Sequence, residues 1–253
     1  MKPKIKLLDM NSNKFFLLVF LIPFLFSACK DDKAGQLEIV YKLQYDGSPL
    51  VMFQEYEYPD GRKIEFTRFS FYTSDVKLDQ EVLKDVEFHN LTVNNVDLDG
   101  ATNGYSWIID DVPSGDYDNL IFNIGLTEDQ NSKTPEDFST DHPLARSAEH
   151  WFNWNSYVFA KVEGKIDTNT DGEKNQSIAL HLGSNSAKRS ISLSKNTTIS
   201  SDEKAVIEVT IDLYDFFGGA DNTYDIDNNP MLHKLEQMPQ VVELADNFKN
   251  SVK

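Results

Sequence analysis

The sequence is almost without cysteine and is poor in positive charge. Its 253 residues include one cysteine, Cys29, and 24 Lys and Arg against 41 Asp and Glu. A single cysteine excludes an internal disulfide, and any metal would have to be held by His, Met, carboxylate or backbone oxygen. The acidic surface argues against nucleic acid as a partner and against broad contact with anionic lipid headgroups.

The apolar run near the N-terminus is too short to span a bilayer. Residues 15–26 form twelve apolar positions, which rise about 18 Å as a helix, against a hydrocarbon core of roughly 30 Å. Lysines precede this run and Ser27-Ala28-Cys29 follows it, as in a secretory signal peptide. Leu25–Cys29 resembles a bacterial lipobox, with Phe26 where Leu is usual. We therefore expect residues 1–28 to be a lipoprotein signal peptide and Cys29 to be lipidated.

The residues after Cys29 are expected to form a short lipidated tether, 29–35, before one domain at 36–253. Lys30-Asp31-Asp32-Lys33 resembles the acidic export signals of surface lipoproteins in the Bacteroidetes group, although a plain charged tether explains it equally well. We expect an outer-membrane protein that contacts the membrane only through its lipid. Whether it faces the periplasm or the cell surface stays open.

The mature part of the chain alternates apolar and polar residues over many short stretches. Leu37–Tyr45 shows the period of a half-buried strand, and the alternation between Ile64 and Phe71 changes phase at Arg68, which predicts a bulge. Residues 127–149 read as a long excursion, and Val241–Val252 fits a helix. Further strands are predicted at 120–125, 156–166, 177–182 and 205–213. The fold expected is all-β, an antiparallel β-sandwich with long loops and a short C-terminal helix.

Histidine and tryptophan concentrate between residues 141 and 184. His142, His150, Trp151 and Trp154 fall within thirteen residues, and His181 follows one strand later. If strands 156–166 and 177–182 form an antiparallel hairpin, the start of the first lies opposite the end of the second. His150 and His181 should then converge, with Trp151 or Trp154 beside them and His142 or His233 completing a metal site. Imidazole suits copper, but tryptophans that fill the core and hydrogen-bonded structural histidines explain the pattern too.

The same residues resemble the MbnP-like family, copper-associated extracytoplasmic proteins related to methanobactin-linked MbnP and to CorA. The likeness is carried by Pro143-Leu144, His150-Trp151-Phe152-Asn153-Trp154, Tyr157, Phe159, Lys161, Glu163-Gly164, His181-Leu182-Gly183, Gly115–Leu126 and Ala245–Phe248. The resemblance implies a β-sandwich that binds copper for uptake or handling, without enzymatic activity. In some members a partner, a di-haem peroxidase-like protein, oxidises a tryptophan to kynurenine.

A second candidate site is the stretch Asp167–Glu173. Asp167, Asn169, Asp171 and Glu173, with Gly172, match the first half of a calcium loop of the EF-hand type. The twelfth position is Ile178 and not Glu, and an Asx-rich hairpin turn explains the stretch equally. Calcium here would fit a rival function, a surface lipoprotein that binds glycan or protein with its tryptophans as a platform. The sequence contains no familiar catalytic motif.

Overall fold

The computed structural model describes residues 34–253, which form two β-sheets and a C-terminal helix. The predicted signal peptide 1–28 and Cys29 lie outside the described residues. Ala34 and Gly35, which the sequence assigned to the tether, are the first residues of β1. Within residues 34–253 no helix is long and apolar enough to cross a membrane.

Thirteen strands and four α-helices are found in the described part of the chain. The strands are β1 (Ala34–Tyr45), β2 (Ser48–Pro49), β3 (Glu55–Glu57), β4 (Lys63–Leu78), β5 (Glu81–Asn90), β6 (Tyr105–Pro113), β7 (Gly115–Ile124), β8 (His150–Trp151), β9 (Ser156–Ile166), β10 (Gln176–Gly183), β11 (Arg189–Ile199), β12 (Lys204–Asp212) and β13 (Met231–Leu232). The helices are α1 (Leu98–Asn103), α2 (Glu128–Asn131), α3 (Leu213–Phe216) and α4 (Met238–Ser251). Short 3-10 turns occupy much of the predicted excursion.

The first sheet has the order β12-β1-β2, with β6 also pairing with β1. β1 and β12 run parallel, so the expected antiparallel arrangement is wrong at this pair. Parallel neighbours need a long crossover, and here most of the chain lies between the two strands.

The second sheet has the order β11-β7-β4-β9-β10-β13, and β3, β5 and β8 pair along its sides. The predicted bulge is confirmed, because the register of β4 against β9 shifts between Phe66 and Arg68. β9 and β10 form the predicted antiparallel hairpin. β13 joins the edge of β10 in parallel, a second departure from the antiparallel expectation.

Alternate side chains of the long strand β4 point to the two opposite faces of this sheet, which have different surroundings. Its Phe69 and Phe71 point towards the core, where Phe71 contacts Tyr41 of β1 with ring centres 5.3 Å apart and both rings contact Phe248 of α4. Ser70, between them, points to the opposite face. We call these the inner and the outer face.

The outer face is covered by the excursion that precedes β9, which in the structure runs from residue 127 to residue 155. The hydroxyl of Tyr72 donates to the carbonyl of Pro143, and that of Tyr157 donates to the carbonyl of Leu144. The buried apolar side chains of the excursion, such as Leu144 and Trp154, thereby join the core. The excursion is thus fixed against the sheet, and the side chains between the two lie in a partly closed space.

Candidate metal centre

Two histidines meet on the outer face at the edge of the second sheet. His181 lies on β10, and the parallel register pairs Leu180 with Leu232 of β13. Extending that register by one residue places His233 beside His181. The two ring centres are 4.7 Å apart.

Trp151 completes this group from the excursion. The short strand β8 pairs with β9, with Trp151 opposite Ser156. Its ring centre lies 5.5 Å from that of His181 and 4.8 Å from that of His233. Trp154 follows at 6.0 Å from Trp151 and packs against Gly183, where any side chain would collide with the indole. We call Trp151, Trp154, His181 and His233 the His–Trp cluster.

The cluster is largely closed to solvent and leaves polar atoms without partners. His181 and Trp154 are buried, at 7% and 8% exposure, whereas Trp151 and His233 are partly buried. Nδ1 of His181, Nε2 of His233 and Nε1 of Trp154 are buried without a hydrogen bond. A buried polar group left unpaired costs about 1–3 kcal/mol. Two such nitrogens on adjacent imidazoles are therefore the strongest indication of a ligand in this region.

Glu163 supplies the charge next to the cluster. Nε2 of His181 lies 2.8 Å from Oε1 of Glu163, and this hydrogen bond lowers the pKa of Glu163 although burial acts to raise it. The pKa of His233 is lowered by burial and by the neighbouring His181, which favours the neutral ring. Neutral imidazole is the form that binds metals.

A buried ion network lies beside these residues on the same face. Glu149 and Lys161 are both buried, and their Oε2 and Nζ atoms are 2.8 Å apart. Nζ of Lys161 also donates to the carbonyl of Ala148 at 2.7 Å, and Arg68 pairs with the other oxygen of Glu149 at 2.7 Å. The network ties the chain just before Trp151 to the sheet beneath it.

The remaining histidines are placed elsewhere. His150 precedes Trp151 on a strand and so points the opposite way, with its ring edge-on to Tyr157 at 4.9 Å. His142 stacks on Phe138 at 4.4 Å and accepts a hydrogen bond from the amide of Leu144. The structure therefore brings His181 to His233 and not to His150 or His142, although the hairpin behind that expectation is present. Within residues 34–253, no set of three or more His, Asp or Glu side chains is arranged to hold a metal.

The Asp167–Glu173 stretch forms a turn whose own amides occupy the carboxylate oxygens of Asp167 and Asp171. Oδ1 of Asp167 accepts from the amide of Thr170, and Oδ2 from that of Gly172, both at 2.8 Å. Burial acts to raise the pKa of Asp167, but these backbone hydrogen bonds hold it below its usual value. Asp171 accepts from the amide of Glu173 and from the side chain of Asn169. The geometry is that of an Asx turn.

Comparison with known proteins gives two findings. A model of the MbnP family matches residues 34–236. Among solved structures, MbnP from Methylosinus trichosporium is similar at 14% sequence identity with a TM-score of 0.48, over 75% of this chain and 80% of that one. No curated protein matches the chain.

Proposed function

Because the chain belongs to the MbnP family, which is associated with methanobactin copper uptake, we propose that it is a copper-handling protein whose ion is held at the His–Trp cluster. His181 and His233 are the proposed ligands. Bound copper would supply the redox chemistry, and the protein supplies two imidazoles in a setting largely closed to water. The family is a copper-handling family and not a known enzyme family.

The observation that carries this proposal is the pair of unpartnered nitrogens on the two rings. A metal–nitrogen bond near 2 Å places an imidazole centre about 3 Å from the ion, so centres 4.7 Å apart can share one ion. Copper outranks the other divalent first-row metals at nitrogen sites by intrinsic affinity.

The tryptophans favour this function over the glycan-binding rival. A sugar platform needs flat aromatic rings that face solvent, but Trp154 is buried and the two indoles are tilted by 38°. Trp151 packs against both imidazoles instead. We propose Trp151 as the tryptophan that a di-haem peroxidase-like partner would oxidise, since the family resemblance implies such an oxidation of one tryptophan in some members. The intact mass of protein purified from its native host tests it.

Copper titration of the mature protein tests the two ligands. We expect His181→Ala and His233→Ala each to weaken copper binding by more than the roughly 10–100-fold typical of losing a partner behind a ligand, since each removes one of two nitrogen ligands. His150→Ala is the matched control, because His150 adjoins Trp151 in sequence but points away from the cluster, and it should bind as the wild type does. Equal affinity and stoichiometry in all four proteins would remove the cluster from consideration.

We also propose that the two sheets pack against each other as a β-sandwich. The contact between Tyr41 and Phe71 supports this arrangement.

We further propose that the protein is anchored to the outer membrane by a lipid on Cys29. The sequence alone supports this anchor. Stable anchoring takes more than one acyl chain. Cys29→Ser should release the protein from membranes, and a variant that still sediments with them as the wild type does would contradict the anchor. Protease treatment of intact cells would separate surface from periplasmic display.

A further inference from the structure

The hydrogen bond between Glu163 and His181 decides which nitrogen of that ring is free. Oε1 of Glu163 and Nε2 of His181 are 2.8 Å apart. An ionised carboxylate can only accept, so Nε2 carries the hydrogen, and in the neutral ring the lone pair then lies on Nδ1. Nδ1 is buried and has no hydrogen-bond partner. The carboxylate therefore leaves Nδ1 as the atom of His181 that can bind a ligand.

His233 presents the other kind of nitrogen. Its Nε2 is the buried atom without a partner. The main chain at this residue is tied to the turn that follows it, because its amide donates to Oε1 of Gln237 at 3.0 Å, while Nε2 of Gln237 donates to the carbonyl of Met231 at 2.7 Å. With the rings 4.7 Å apart and tilted by 39°, the cluster offers one Nδ1 and one Nε2.

Two cations could take Glu163 away from His181: Arg68, which lies opposite Glu163 on β4 and is paired with Oε1 of Glu149, and Lys161. Lys161 lies two residues from Glu163 on β9 and points to the same face. Its Nζ is already engaged by Oε2 of Glu149 at 2.8 Å and by the carbonyl of Ala148 at 2.7 Å. Because these pairings hold both cations, Glu163 remains available to the imidazole.

We propose that Glu163 is a positioning residue that fixes the tautomer of His181, so that a metal is bound through Nδ1 of His181 and Nε2 of His233. The proposal rests on the function proposed above. A carboxylate that accepts from the distal N–H of a ligating imidazole orients the ring and raises its basicity, and losing it typically lowers metal affinity 10–100-fold.

The first test reads the tautomer in the metal-free protein by long-range ¹H–¹⁵N NMR of the histidine rings. At a pH where the ring is neutral, we expect the wild-type His181 to carry its hydrogen on Nε2, and Glu163→Ala to show both tautomers. Glu163→Gln keeps a carbonyl that accepts from Nε2 and should preserve the wild-type tautomer. The control is Glu236→Gln, which removes one charge three residues from His233 without a hydrogen bond to either ring. A wild-type His181 protonated at Nδ1 would overturn the proposal.

The second test is copper affinity in the same variants. Glu163→Ala should bind copper about 10–100-fold more weakly, Glu163→Gln less weakly than that, and Glu236→Gln as the wild type does. Unchanged affinity in Glu163→Ala would end the positioning role. If the wild type binds no copper, the proposed function fails, while the tautomer measurement still decides what Glu163 does to His181.

Discussion

The two faces of the second sheet each bury a histidine, and the two sites differ in what surrounds the ring. On the inner face His89 is fully buried among the rings of Tyr41, Phe71 and Trp107, and its Nε2 is 2.9 Å from the hydroxyl of Thr73. On the outer face His181 has a carboxylate on one side and a second imidazole on the other.

Both rings leave Nδ1 buried without a partner, so an unpaired nitrogen alone does not distinguish a binding site from a core position. The difference lies in the neighbours. The aromatic rings around His89 lower its pKa to about 3 by burial and include no second imidazole. Glu163 and His233 give His181 a fixed tautomer and a companion nitrogen. A buried histidine indicates a metal site when polar groups of complementary kinds converge on it.

The largest expected effect belongs to the inner face. Phe71→Ala removes a ring that contacts Tyr41, His89 and Phe248 in the closed core, and such substitutions cost about 3–5 kcal/mol. Urea unfolding followed by circular dichroism measures the loss. A cost below about 1 kcal/mol would mean that the core at the inner face can collapse around the vacated volume. The inner face would then not be the more rigid of the two faces.

The outer face should lose somewhat less when its ion network is broken. Lys161→Met leaves the buried carboxylate of Glu149 with Arg68 as its remaining ion-pair partner. We expect a loss of about 2–4 kcal/mol, because removing one partner strands a buried charge. The double variant Lys161→Met with Glu149→Gln should recover much of that stability, since neither charge is then buried. Additive losses in the double variant would contradict the pairing.

A change of pH should act on the inner histidine. The pKa of His89 is about 3 in the folded protein and near 6.5 when unfolded, so its contribution to stability is complete above about pH 6.5 and is lost as the pH falls towards 3. Between pH 6.5 and 5 this contribution should fall by about 2 kcal/mol. His89→Gln should lack this component when both proteins are unfolded in urea across that range. Parallel pH profiles of the two proteins would mean that His89 becomes protonated in the folded state over this pH range, so that folding does not lower its pKa.

The smallest effect is expected at the Asp167 turn. Both oxygens of this carboxylate already accept backbone amides, so millimolar calcium should leave the melting temperature unchanged within about 1 °C, because a ligand stabilises a protein only by binding its native state. Asp171→Ala serves as the control. A calcium-dependent rise in melting temperature that Asp171→Ala abolishes would show that the turn binds calcium in spite of its internal hydrogen bonds.

The sequence predicted the regular parts of the fold well, because local patterns decide them. The residues of β9 match the predicted 156–166, and the phase change at Arg68 is the observed bulge. The parallel pairings of β1 with β12 and of β10 with β13 depend on contacts between distant segments. Apolar alternation does not encode such contacts.

The candidate site was half predictable for the same reason. The hairpin placed His181 near the tryptophans, but His150 and Trp151 are neighbours on one short strand, and only one of them can face the cluster. That choice depends on the pairing of β8 with β9. Glu163 was not predicted as a partner of His181. The signal available in the sequence was its spacing of two residues from Lys161 on a predicted strand, which placed the side chains of Lys161 and Glu163 on one face.

The attachment of His233 has a consequence for how fast an ion could leave. β13 is two residues long, lies at the edge of the sheet, and pairs with β10 only through Met231 and Leu232. Edge segments with so few ladder contacts open at a lower free energy than the central strands of a sheet, even where, as here, one side chain, that of Leu232, is buried in the core. The residence time of a shared ion would then depend on how often this edge detaches and takes one ligand with it. Detachment of the edge costs far less free energy than global unfolding.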